Sequence, residues 1–416
     1  MIDAPLSVVV VSRARPQALC RCLTSLTRQT HDNFEIIVVA DPQGLAAVAA
    51  LPFARNLKTV AYDEANISVA RNLGIAQAGG AVIAFIDDDA VAEPTWARFL
   101  VGAFVHPEVA MAGGYVIGRN GISFQYRAER VDSLGDTHPV AHRGQEMLVA
   151  AGSREGVLKT HGTNCAFRRA ALLEVGGFDP AFRFFHDETD LAMRLARRGH
   201  SAALVPLAQV HHGFAASERR KGSRMPTDLF EVGASTVLFL RRHAPETTRF
   251  EPVLSAHVAA QRRRLVRHMV AGSCAPGDVA PVLDSFRRGL AAGQERALGK
   301  EQPLPVAGVA FLRFPTVTPR RDVVVAGGWL ARRTLRAQAA ALAAKGDSVS
   351  LFLLHLSPKR HRIRYTRAGF WEQTGGVWSR SERAHSPEKV MKPTARVKME
   401  VDRVAVVRNL TDDLGN

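Results

Sequence analysis

The chain has 416 residues, 46% of them hydrophobic, enough for two or three packed domains, and it reads as soluble and globular. No stretch approaches the ~18 uninterrupted apolar residues of a membrane span. Cys20, Cys22, Cys165 and Cys274 lack C-x-x-C spacing and are too few for a disulfide scaffold, so reduced packing residues are expected. The formal net charge of +16 is unevenly placed: residues 1–215 carry 20 Lys and Arg against 21 Asp and Glu, and the remainder, by difference from 55 and 39, carries 35 against 18. Two units with different surfaces are implied, the second able to meet an anionic lipid, an acidic glycan or nucleic acid.

Leu6–Ser12 (LSVVVVS) is a continuous β-branched run, the mark of a strand buried on both faces of a parallel sheet. Met1 runs into it without a basic-then-apolar leader, so a cytoplasmic location is expected. Ala18–Thr27 brings Leu19, Leu23 and Leu26 to one helical face, and Phe34–Ala40 is a second buried strand ending at Asp41 and Pro42. A third strand is expected over Leu57–Tyr62, then a helix from about Asn66 to Ala78, stopped by Gly79 and Gly80.

The apolar run Ala81–Ile86 follows and ends in Asp87, Asp88 and Asp89. Three carboxylates at the end of a buried strand raise one another's pKa unless a cation neutralises them, and hard oxygen ligands suit Mg²⁺ or Mn²⁺. Ligands of α/β sheets bind outside the carboxyl ends of strands, where Asp41 and the triplet would lie. A solvated acidic turn would carry the same triplet.

Trp96–Phe104 reads as a helix and Val109–Gly118 as a strand interrupted at Gly113 and Gly114. Residues 119–160 are polar and Gly-rich, and a long loop or lid is expected there. The segment HGTNCAFR from His161 to Arg168, a short helix from Arg169 and a turn at Gly176–Pro180 come next. His186 opens a helix whose first turn holds Asp187, Glu188 and Asp190, placed as the helix dipole prefers; Asp190 and Arg194 have the spacing of a structural ion pair. Ala202–Val205 reads as a short strand before His211 and His212.

The character then changes. Residues 218–224 form a charged connector, Asp228–Arg242 an amphipathic helix, and Gln261–His268 a basic helix that is a solvated face or a membrane or polyanion contact. After Pro303 and Pro305, Val323–Trp329, Arg332–Lys345 and Gly346–Leu354 make one more strand-helix-strand unit, and the basic tail holds an isolated apolar stretch at Val404–Val407. The divisions expected are 1–217, 218–305 and 306–416.

Taken together, VVVVSRARP, IIVVADP, NISVARNLG, FIDDDA, HGTNCAFRR, GGFDPAF, HDETDLAMRL and VHHG resemble, in order, the family 2 glycosyltransferases of the GT-A fold. The resemblance implies an α/β GT-A domain with a mostly parallel central sheet, followed here by a helical basic segment and a small C-terminal α/β unit. It implies a metal-dependent inverting transferase that moves a sugar from a nucleotide-diphosphate sugar to a hydroxyl of a glycan, polysaccharide or glycolipid. By position, Asp89 and His211 are the implied metal ligands, with His212 the spare, and the cofactor a divalent cation, Mn²⁺ or Mg²⁺. Asp41, Arg71, Asp87, Asp88 and Asn164 fall among the donor-binding positions, Asn164 toward the acceptor side. Glu188 takes the place of the general base, with Asp187 able to act from one residue away. Residues 321–416 more weakly resemble part of the amino-terminal half of a GT-B glycosyltransferase, which implies an accessory or docking role. The alternative is a non-catalytic carbohydrate or polyanion binder on a decayed transferase fold. Nucleic acid is not expected as a partner, for no aromatic interleaving accompanies the basic residues; peripheral contact with the inner membrane face is.

Overall fold

The computed structural model describes residues 3–215, 217–305, 308–316, 321–382 and 391–410. Its centre is a mixed sheet whose strands run in the order Leu148–Ala151, Ser201–His212, Val109–Ile117, Asn164–Arg168, Val82–Asp87, Leu6–Ser12, Phe34–Ala40 and Leu57–Ala61. The last four are mutually parallel, and Asn164–Arg168 joins them antiparallel. Side chains alternate across the sheet: Val8 and Val10 pack in the core on one face, Val9 in the core on the other.

Helices cover both faces. Pro16–Leu26 and Trp96–Gly102 lie on the first, Ile67–Ala76, Arg169–Glu174 and Asp187–Arg197 on the second. Each fully buried aliphatic side chain contributes about 1.5–3 kcal/mol, and this packing holds charged residues at the strand ends in place. A Cβ on Gly74 would come 2.4 Å from Val9 Cγ1, so the glycine sets the distance between its helix and the sheet.

Four expectations are corrected here. Gly113 and Gly114 do not interrupt their strand; a Cβ on Gly114 would meet the Ala208 carbonyl oxygen at 1.8 Å, so close strand approach demands the glycine. Residues 119–160 are not a structureless lid, since Glu129–Asp132, Thr137–Pro139 and Gly156–Leu158 form a three-stranded antiparallel sheet. The short strand at Ala202–Val205 is the start of a twelve-residue strand that carries both histidines. The basic helix extends over Phe250–Val270, and a further helix, Pro276–Glu295, packs with it and with Phe230–His243.

The C-terminal unit is a four-stranded sheet in the order Asp322–Gly328, Ser348–His355, Trp371–Gly376 and Arg362–Tyr365, the first three parallel. The helices Arg332–Ala344 and Pro393–Arg408 accompany it. The unit contacts the first domain at several points. Asn120 O accepts from Ile363 N at 3.0 Å, Val407 O accepts from both Thr95 N and Thr95 Oγ1, and Arg28 donates to the carbonyls of Ala343 and Gly346. Within the stretch assigned to that unit, Phe314 packs on Phe34 and Phe53 of the first domain.

Candidate active site

The carboxyl ends of Leu6–Ser12 and Val82–Asp87 lie side by side, with Val11 opposite Asp87. Beyond them, Asp88 is fully buried, accepting from Ser12 Oγ at 2.6 Å and pairing with Arg15 at 2.8 Å. Burial pushes its carboxyl up to about 7, against the pull of Arg15. Asp88 therefore holds the loop rather than facing the crevice. Asp89, also buried, resists the same desolvation: His212, Arg15 and the Ala215 amide hold it well below the carboxylate range.

His212, not His211, faces the carboxylates. Its Nε2 lies 3.2 Å from Asp89 and 3.9 Å from Asp87, and one ligand atom from each of the three residues can be chosen with all within 4.8 Å of one another. His212 Nδ1 is 3.0 Å from Gln125 Oε1; with a cation bound, the tautomer that donates from Nδ1 to that oxygen would leave Nε2 free to ligate. The assignment of His211 is thereby corrected. Neighbouring side chains on a strand point to opposite faces, and His211 turns into a buried pair with Glu93, Nε2 to Oε1 at 2.8 Å. Two carboxylates and an imidazole fit a divalent cation of the Mn²⁺ or Mg²⁺ kind.

On the other side of Asp87 stands Arg71, 3.8 Å away, which donates to Asp187 and to the Gly162 carbonyl. Burial raises the Asp187 pKa, opposed by Arg71. Glu188 is partly exposed, and its carboxyl is pushed up to about 7, first by desolvation and then by the adjacent Asp187. Asp190 is structural, as its spacing suggested: Arg194, Arg242 and His243 bind it at 2.8–2.9 Å.

Two further positions differ from expectation. Asn164 is fully buried, its amide donating to the Tyr115 and Ala208 carbonyls and accepting from Trp96 Nε1; it joins strands and does not line the crevice. Asp41 stands at its strand end but caps the helix Pro42–Ala49 through Gly44 N. Sequence reasoning missed Arg15, although a cation directly after the first strand is a readable signal. It also missed Tyr126, stacked on His161 at 3.8 Å, for which no signal existed. Ala14, Phe185, His186, Phe214 and Arg224 all take positive φ, five of the six non-glycine cases among the described residues. They sit in the loops around this crevice, each costing of order 1–3 kcal/mol.

A mostly parallel α/β sheet with a carboxylate-histidine cluster at its switch point, where such sheets bind their ligands, makes this a GT-A type of domain. The family model described as glycosyltransferase-like family 2 matches residues 4–225, more than half of the chain, and the chain belongs to that family. A glucosyl-dolichyl phosphate glucuronosyltransferase of Haloferax volcanii is 29% identical over 186 residues, 42% of this chain and 55% of that protein. A pre-mycofactocin glycosyltransferase of Mycobacterium tuberculosis is 29% identical over 154 residues, 35% of this chain and 29% of that one. The chain thus spans about half the length of the first of these relatives and less of the second. Among solved structures, a mannosyltransferase from Pyrobaculum calidifontis in complex with GDP-Man and Mn²⁺ is similar at a TM-score of 0.43 and 15% identity, covering 70% of this chain and 87% of that one.

Proposed function

We propose that the domain is a metal-dependent inverting glycosyltransferase, passing a sugar from a nucleotide-diphosphate sugar to a hydroxyl of a glycan, polysaccharide or glycolipid. The observation that carries this is the convergence, on either side of Asp87, of the Asp89–His212 pair and of Arg71 with Asp187 and Glu188. Asp87, Asp89 and His212 would hold the cation, whose charge stabilises the departing diphosphate. Arg71 keeps Asp187 engaged, which leaves Glu188 to accept the acceptor's proton. A base with a pKa near 7 suits that work at neutral pH. Asp41, at the end of its strand, remains the proposed contact for the nucleobase.

The Haloferax relative is named for a lipid-linked sugar, and we extend a lipid-linked acceptor to this chain as part of the reading. Among the described residues no helix is long and apolar enough to cross a membrane. Peripheral contact through Phe250–Val270, where Leu265 is the one buried side chain, would bring the crevice to such an acceptor on the cytoplasmic side. The test is a calorimetric screen of the chain against UDP-, GDP- and dTDP-sugars with and without Mn²⁺. Metal-dependent binding of one donor is expected; no binding of any would return the weight to a carbohydrate binder on a decayed fold.

A further inference from the structure

A cavity of about 390 Å³ opens beside the Asp89–His212 pair, and one of its walls belongs to the C-terminal unit. The wall is the strand Arg362–Tyr365, seated by a fitted joint. Gly121 has φ +73° and lies so close to this strand that a Cβ would meet Ile363 O at 2.3 Å.

Four arginines line the cavity, and Asp89 is the one carboxylate among its lining residues. Two of the four are committed elsewhere. Arg364 pairs with Glu372 at 2.6 Å, and Arg119 donates to the carbonyls of Gly213, Phe214 and Gly222. Arg21 and Arg362 have no carboxylate partner among the described residues. Arg21 nevertheless reaches the loop after His212, its Nη2 lying 3.7 Å from where a Cβ of Gly213 would stand. Arg21 is half-buried and Arg362 exposed, so both guanidinium groups are open to a ligand, whereas the fully buried arginines have carboxylates: Arg194 has Asp190, Arg396 has Glu400 and Arg408 has Glu93.

We propose that this cavity binds a phosphate ester, with Arg21 of the transferase domain and Arg362 of the C-terminal unit gripping the phosphate. Guanidinium groups from two elements suit a multiply charged tetrahedral oxyanion, which accepts several charge-assisted hydrogen bonds at once. The volume exceeds a bare phosphate, and Val91, Phe214, Ile363 and Tyr365 offer apolar surface to the rest of the molecule. A transferase of the proposed kind meets such a group twice, in the nucleoside diphosphate of its donor and in the phosphate of a lipid-linked acceptor. The assignment of the source rests on that reading; the phosphate chemistry of the cavity does not. Either way the C-terminal unit is part of the substrate site.

The test uses the full chain with Arg21→Gln, Arg362→Gln, the double variant and Arg362→Lys. Binding of UDP and GDP with Mn²⁺, and of farnesyl phosphate against farnesol, is measured by calorimetry, with a thermal melt of each variant. Melting temperatures should be unchanged, because neither arginine has an ionic partner to lose. The double variant should bind one kind of phosphate probe at least tenfold more weakly, with Arg362→Lys intermediate and farnesol unaffected. A loss confined to the nucleotides assigns the cavity to the donor, and one confined to farnesyl phosphate assigns it to the acceptor. Equal affinity of wild type and double variant for every phosphate probe, or no phosphate binding by the wild type, overturns the proposal. Should no nucleotide bind the wild type, the transferase reading fails while farnesyl phosphate still reports on the cavity.

Discussion

Adjacent residues of one strand divide the work at this site. His212 turns toward Asp87 and Asp89, His211 toward Glu93, and the sequence HHG cannot say which is which without the register of Ser201–His212 against its neighbours. His212→Ala should weaken Mn²⁺ binding by roughly 100-fold or more, beyond the 10–100-fold typical of groups that merely orient a ligand. His211→Ala should leave that affinity within a few-fold and instead cost about 1–3 kcal/mol, the penalty of an unsatisfied buried partner, readable in urea titration. The reverse pattern would restore the sequence-based choice. Glu188 makes a second prediction with a definite sign. Its carboxyl ionises at 4.5 in the ordinary case and at about 7 in the fold, so between these values the native state binds more protons and stability falls as pH rises. Glu188→Gln should therefore match the parent near pH 4 and exceed it by on the order of 2 kcal/mol at pH 8. Turnover should rise through pH 7 in the parent and drop about 10²–10⁴-fold in the variant while donor binding persists. Turnover that survives in Glu188→Gln and dies in Asp187→Asn would transfer the role to Asp187.

At the scale of elements, the strands that carry the site were the most legible part of the chain. Leu6–Ser12 and Phe34–Ala40 match their readings at both ends, because strands buried on both faces leave a near-continuous apolar run. Legibility failed where packing overrode local pattern. Ser201–His212 contains Pro206 and Gln209, which read as a stop, yet its register shifts between Val205 and Val210 and pairing resumes. Pro276–Glu295 was missed because Pro281 interrupts its pattern. The glycines supply a paired test. Gly114→Ala forces a Cβ into Ala208 O and within 2.6 Å of Asn164 Nδ2 and should cost about 3 kcal/mol or more. Gly102→Ala, on a helix with nothing within 4 Å of the new Cβ, should stabilise by about 0.5 kcal/mol. Equal unfolding midpoints for the two would mean that the strands can separate to admit a methyl group.

For the molecule as a whole, the open matter is whether the C-terminal unit is an appendage, as its sequence suggested, or part of one cooperative structure. One ion pair, Arg408 with Glu93, joins residues 315 positions apart in the chain. Arg408 is 1% exposed, donates to both Glu93 oxygens at 3.0 and 3.1 Å, and lies over Trp371, whose ring packs on His211. Although burial works against its charge, Glu93 is held down at about 2 by Arg408 and His211. Its contribution is thus present above its ordinary value of 4.5 and lost as pH falls through about 2. Arg408→Ala leaves that carboxylate buried without its cation, at a cost of about 3–5 kcal/mol, whereas Arg408→Met with Glu93→Gln removes both charges and should recover much of the loss. Urea unfolding followed by both tryptophan fluorescence and proteolysis of the C-terminal unit decides the matter. One shared transition, shifted as a unit by Arg408→Ala, is expected of a continuous structure. Two transitions, with only the C-terminal one moved, would make the unit the independent appendage its sequence suggested.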